Sequence, residues 1–205
     1  MSRADLIRRG FAAASLFVVA AATIHGDTAF TRRDADSLHR KLVQIGEAGV
    51  GPRAKTARAL STTITEPELN AYLRYHAAGE IPAGVTEPYI TIVGDGKLEG
   101  RATVDLDVIR RQKQREWTDP LGYVTGRVPV LAAGALDARD GVGRFTLESA
   151  SIGGVPVPKS VLQELVSYYS RSDQNPTGVS LDSPFELPAR IREIRVGQKQ
   201  ATVIQ

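Results

Sequence analysis

Two pairs of carboxylates, three histidines and one basic run are the residues of this chain whose types and spacing could do chemistry. Glu66 and Glu68 lie close together in TITEPELNAYL, Thr63 to Leu73. Two carboxylates so close could be the working acids of an active site. Helix initiation explains this pair more simply. Thr65 fits an N-cap with Glu68 at N3, the T-x-x-E capping box, and Ile64 and Leu69 have the spacing of a hydrophobic staple. Pro67 is tolerated in a first turn, and both glutamates sit where the helix dipole favours negative charge.

Asp105 and Asp107 form the second pair. On a strand they would share one face about 7 Å apart, a spacing that could bind metal but more often keeps an outer face wet. The histidines, His25, His39 and His76, show no metal-ligand spacing, and no cysteine occurs, so thiolate chemistry and disulfides are excluded. GDGKLEG has its third glycine one place late for a dinucleotide loop. No nucleophile elbow, zincin or phosphate-loop pattern is present. These residues point away from an enzyme, and no cofactor or metal is expected.

The basic run is RRQKQREW. Arg110, Arg111, Lys113 and Arg115 stand beside Trp117, the single tryptophan. Such a segment suits the headgroup zone of an anionic bilayer, and these five residues are the expected membrane contact. The plainer alternative is a solvated connection with one aromatic plugging the core. Single-stranded nucleic acid would also suit it, but an exported protein rarely meets that.

Export is read from the N-terminus. MSRADLIRRG supplies Arg3, Arg8 and Arg9, and Phe11 to Ile24 then run without a charge. That is a signal peptide, or an N-terminal anchor if it stays uncleaved, with Ala20-Ala21-Ala22 offering small residues for cleavage. Residues 1–29 are assigned to this segment and residues 30–205 to a single α+β domain. A chain of 205 residues, 42% apolar and 24% charged with net charge +3, is ordinary for such a domain and carries no strong nucleic-acid signature.

The elements that must position these residues follow from periodicity. A helix is expected over about Arg33 to Ala48, with Leu38, Leu42 and Ile45 as its apolar stripe. The strand TARALSTTI leads into the capped helix, IPAGVTEP is a loop, and YITIV and the GDG turn follow. In LEGRATVDLDV the even positions Leu98, Ala102, Val104, Leu106 and Val108 are apolar and the odd ones are polar. This predicts one long, half-buried strand. GRVPVLAAGALDA and RFTLESASI, joined by RDGVG, read as a hairpin. Pro158 to Ser170 reads as an apolar helix that covers the sheet, and PFELPARIREIRV with QATVI as a terminal hairpin. Runs of adjacent strands make an antiparallel α+β fold with one sheet face to be covered.

TEPELNAYL, VDLDV, GRVPVLAAGAL, SIGGVPVPKSVLQEL and PFELPARIREIRVGQKQATVI occur in an order with a family likeness. The chain resembles extracytoplasmic TULIP-like lipid-binding proteins of the YpmS and LmeA kind over about residues 60–204. The resemblance implies a long, curved antiparallel β-sheet wrapped on one or two amphipathic helices, with an apolar groove for a lipid or other amphiphile. It carries no catalytic pattern. It does imply a lipid groove lined by Val104, Leu106, Val108, Val128, Val130, Leu165, Val166 and Tyr169. The alternative is an envelope scaffolding protein with the same fold and a closed core. The small residues Gly100, Ala102, Ala132, Ala133 and Gly134 fit either reading, since they leave room or permit close packing.

Overall fold

The computed structural model describes residues 30–50, 59–112, 125–171 and 175–205. The signal or anchor segment lies outside the described residues. The elements run in the order α1 (Arg32–Val50), β1 (Ser61–Thr65), α2 (Glu66–Tyr75), β2 (Val85–Gly94), β3 (Lys97–Asp105), α3 (Leu106–Gln112), β4 (Arg127–Arg139), β5 (Val142–Ile152), β6 (Val155–Pro156), α4 (Lys159–Tyr169), β7 (Phe185–Glu186), β8 (Glu193–Gly197) and β9 (Gln200–Ile204). The protein is α+β, and every strand pair is antiparallel.

The strands form two sheets. Six make a large open sheet in the order β2-β3-β4-β5-β6, with β7 also on β5, and it does not close on itself. β1, β9 and β8 make a small three-stranded sheet. The expected terminal hairpin is therefore β8–β9, but β1 joins it from far back in the chain, with Ser61 opposite Ile204 and Thr65 opposite Gln200. The turns of the two sheets touch: Gly96 donates its N–H to the Val196 carbonyl at 3.2 Å, and Lys199 donates to the Ile92 carbonyl at 2.9 Å. Register shifts between Thr86 and Tyr89 on β2 and at Ala133/Gly134 on β4 mark bulges, the usual means of bending a strand.

α1 buries Ala35, Leu38, Leu42 and Ile45, the expected stripe and one alanine more. Ile45 joins Ala138, Leu187, Ile191 and Val203 in one core cluster between α1, the small sheet and the end of β4. A second cluster, Ala132, Phe145, Leu147 and Leu181, lies on the large sheet, and Leu162 and Val166 of α4 pack against it. α4 thus covers the sheet as expected. Gln163 holds the following segment along α4: its side chain accepts from Leu181 N–H at 2.7 Å and donates to the Val179 carbonyl at 3.1 Å. Ser170 Oγ accepts from Val179 N–H at 2.7 Å.

The stretch expected as a loop over 81–88 is strand from Val85 onward, where β2 begins, and a second expectation fails in a definite place. The alternation from Leu98 to Val108 is not a single strand: β3 ends at Asp105, and Leu106 begins α3. The cause is the Asp105 carboxylate, whose Oδ1 accepts the N–H groups of Asp107 and Val108, both at 3.1 Å. It satisfies donors that an extended chain would give to a neighbouring strand, so the helix starts there. Leu106 and Val108 are therefore helical, not strand residues.

Candidate functional site

The register aligns one apolar face across the large sheet. Leu98, Gly100, Ala102 and Val104 of β3 stand opposite Gly134, Ala132, Val130 and Val128 of β4. Val85, Ile90 and Ile92 of β2 pair with Val104, Gly100 and Leu98. On β5, Ile152, Ala150, Leu147 and Phe145 oppose Val130, Ala132, Gly134 and Leu136. Side chains opposite one another share a face, so this is one continuous apolar surface.

Its cover is uneven along the strands. At the end toward the small sheet and α4, Ala132, Ala138, Phe145 and Leu147 are buried. At the other end Val85, Ala102, Val104, Val128, Val130 and Ile152 are only half-buried. Nearby in sequence, Val155 is 65% exposed on β6 and Val161 43% exposed on α4. This half-buried end has apolar surface to offer along several neighbouring strands.

Of the residues expected to line a groove, Val104, Val128 and Val130 meet on this end. Leu106 and Val108 leave it: Leu106 is 3% exposed on α3, and Val108 and Ile109 pack over Gly84. Leu165 is 7% exposed, and Val166 packs on the buried cluster nearer the middle of the sheet. Tyr169 ends α4, and its side chain lies outside the described residues. Among the small residues, Gly134 serves close packing, because the Phe145 ring stands where its side chain would be. Arg110 and Arg111 lie in α3, with Arg111 exposed; Lys113, Arg115 and Trp117 lie outside the described residues.

The carboxylate pairs are fully engaged in holding structure. Thr65 and Glu68 make the expected capping box. Glu68 does more, because its carboxylate accepts from Lys41 Nζ at 2.7 Å, Ser37 Oγ at 2.6 Å and Thr65 N–H at 2.9 Å. Burial pushes its pKa up, but the hydrogen bonds from Lys41, Ser37 and Thr65 outweigh that and hold it at about 2. Lys41 also donates to the Thr63 carbonyl at 2.6 Å, so the ion pair caps the outer edge of β1.

Glu66 and Asn70, one helical turn apart, do the same to β2. Asn70 pairs with Ile90 as a neighbouring strand would: its Oδ1 accepts the Ile90 N–H and its Nδ2 donates to the Ile90 carbonyl, both at 2.7 Å. Glu66 accepts the Ile92 N–H at 2.7 Å and the Tyr89 hydroxyl at 3.3 Å. Asn70 is 1% exposed and Glu66 8%. A buried carboxylate taking a backbone N–H on a sheet edge is an edge plug, which removes the row of free groups on which another strand could add.

Asp105 and Asp107 are separately employed. Asp105 caps α3, and its carboxylate is held below its usual range, first by the Val108 N–H and further by Arg127 at 3.3 Å and the Asp107 N–H. Asp107 accepts from Gly126 N–H at 3.0 Å, which ties α3 to the start of β4. The histidines have no metal-ligand spacing along the chain, yet the fold stacks His39 on His76 with ring centroids 5.3 Å apart, and His76 Nε2 meets Asp36 at 2.8 Å. Among the described residues no group of three or more His, Cys, Asp or Glu could hold a metal ion. No helix among them is long and apolar enough to cross a membrane.

Comparison with family models, with curated proteins and with solved structures finds no match. The reading of function therefore rests on the apolar face and on the residues around it.

Proposed function

We propose that the chain is a non-enzymatic extracytoplasmic protein that holds a lipid or other amphiphile on the half-buried end of its large sheet, with carriage near the membrane as its setting. The observation that supports this is the uneven cover of one continuous apolar face. Val104, Val128, Val130 and Ile152 stay half-buried, while farther along β4 and β5 Ala132, Ala138, Phe145 and Leu147 are buried. An acyl chain is apolar, long and narrow, and burying it along such strands removes apolar area from water at about 25 cal/mol per Å². The TULIP-like resemblance suggests the same use of the same face. The carboxylates offer no competing chemistry, because each is engaged by a cap, an ion pair or a strand edge.

A second reading has its own observation. Leu106 and Leu165 were expected in the groove, and both are buried, which favours an envelope scaffolding protein with a closed core. The two readings separate on substitution. A triple change Val104→Gln, Val128→Gln and Val130→Gln places amides where side chains are only half-buried. An amide buried without partners costs roughly 1–3 kcal/mol in protein hosts, and one that reaches water costs far less. Native mass spectrometry of protein from its own envelope fraction, with melting curves before and after delipidation, decides. The lipid reading expects co-purifying amphiphile on the wild type, its loss from the variant, and nearly equal melting of the two empty chains. No bound amphiphile on the wild type, with a variant that simply unfolds, refutes it and leaves the scaffold.

A further inference from the structure

A row of arginines and aromatic rings lies on the other side of the molecule from the apolar face. Arg32 at the start of α1 sits over the Tyr75 ring at 5.1 Å, and Arg74 reaches the same ring at 5.7 Å and Phe30 at 5.8 Å. Phe30 meets Tyr89 with centroids 6.3 Å apart, and Arg101 covers Tyr89 at 4.6 Å. These contacts join five residues from four elements, and Phe30 just before α1, into one surface. Tyr89 and Arg101 are cross-strand partners at odd register positions, so they stand on the opposite face of β2–β3 from Leu98, Gly100 and Ala102.

The three rings are half-buried and the three arginines exposed. Elsewhere Arg127, Arg139 and Arg195 each have a carboxylate within 3.3 Å. Among the described residues no ion pair involves Arg32, Arg74 or Arg101, whose guanidiniums rest on rings and leave their N–H groups to solvent. An arginine over an aromatic ring keeps N–H donors for an oxyanion, and aromatic rings with basic residues prefer the headgroup layer of a bilayer.

We infer that this row is a docking surface for an anionic lipid bilayer, with the arginines on lipid phosphates and the rings at the headgroup level. Charge complementarity is one argument. The second is position: Phe30 belongs to the row, and only five residues separate it from Ile24, the end of the uncharged N-terminal run. A chain anchored or inserted through that run brings this surface to the membrane first. The inference rests on the extracytoplasmic part of the proposed function but not on an acyl chain in the sheet.

The test uses the full chain in nanodiscs that carry a trace of a phospholipid with a photoactivatable headgroup, made either of phosphatidylcholine or of a mixture with phosphatidylglycerol. Crosslinked peptides are mapped by mass spectrometry. Peptides near Phe30 are tethered in any case, so those holding Tyr75 and Tyr89 decide. Their labelling should rise in the anionic discs and fall with salt. The variant Arg32→Gln, Arg74→Gln and Arg101→Gln should cut it by about tenfold or more, since one basic residue at an anionic surface is worth on the order of a fivefold change in affinity. A control with the same charge loss, Arg139→Gln, Arg144→Gln and Arg192→Gln, should leave it within about twofold, because by the same logic only residues at the surface count. Replacement of the three row arginines by lysine retains charge and should restore most of the labelling, which separates docking from a packing defect. Labelling spread evenly over all faces, an equal loss in the control, or no dependence on lipid charge each overturns the inference. Because no readout depends on a bound amphiphile, failure here is distinct from failure of the lipid-holding role.

Discussion

Replacement of Glu68 by glutamine should weaken the fold at neutral pH and not at acid pH. The carboxylate is 11% exposed and receives Lys41, Ser37 and Thr65, which together take its pKa from an ordinary 4.5 to about 2 despite the opposing effect of burial. A shift of that size, fully converted, corresponds to about 3 kcal/mol. The Lys41 side chain keeps 27% of its exposure, so solvent screens part of the attraction, and about 1–2 kcal/mol is the better expectation. The folded value lies below the unfolded one. The contribution is therefore complete above about pH 4.5 and is lost as the pH falls toward 2. Glutamine retains an oxygen for the Thr65 N–H but no charge for Lys41. For a domain of this size the variant should melt about 2–8 °C lower at pH 7. The assay is thermal melting of both proteins from pH 7 to pH 2.5. Other carboxylates titrate in both chains, so the difference curve isolates Glu68. A gap that stays constant across that range would refute the ion-pair account and leave only capping geometry. If the wild type is found to bind an amphiphile, a fully folded variant that does not would assign Glu68 a chemical role that its contacts do not suggest.

Three further outcomes are expected. Asn70→Leu leaves the Ile90 N–H and carbonyl without their partner, so it should cost about 2–3 kcal/mol and, by opening the β2 edge, promote self-association seen in sedimentation velocity. Gly134→Ala sets a methyl against the Phe145 ring and should cost about 1–3 kcal/mol by chemical denaturation, while alanine at the solvent-facing Gly153 loses only the ease of its positive φ of 60°. N-terminal sequencing of exported protein should find a start between residues 23 and 30 if the signal is cleaved, and a chain beginning at Met1 in the cytoplasm would contradict the export reading.

What could be read in the sequence was local. The T-x-x-E box of Thr65 and Glu68 is a contact over three residues, and it forms as expected. The stripe on α1 and the strand hairpin from Arg127 to Ile152 follow from period alone. The roles of Glu66 and Asn70 were hidden because their partners, Ile92 and Ile90, lie 26 and 20 residues on. The pairing of β1 with β9 was hidden for the same reason, since no local pattern marks two short strands that meet across nearly the whole domain. The break at Asp105 is a different failure. Over VDLDV, alternation and a helix start give the same apolar positions, and Asp105 fits the polar face of a strand as well as an N-cap. Asp105 before Leu106 and Ile109 was the available signal for a helix, and the longer alternating run outweighed it.

The edge plugs also bear on where a partner can bind. An antiparallel sheet offers two kinds of surface, its open backbone edges and its faces. At Ile90 and Ile92 of β2 the edge is closed by side chains of α2, and at Thr63 and Thr65 of β1 by the Lys41–Glu68 pair. A guest strand at these places would have to displace a buried amide or a buried carboxylate before it gained a backbone bond, and the displaced group would lose about 1–3 kcal/mol of hydrogen bonding. Strand addition is thus disfavoured at both helix-facing edges. The half-buried valines at the far end of the large sheet carry no such penalty, because an apolar guest there only removes area from water. The segment TITEPELN therefore acts without being a site itself: it holds the β1 and β2 edges shut, so that at this end of the fold association is less opposed on the apolar face than on the strand edges.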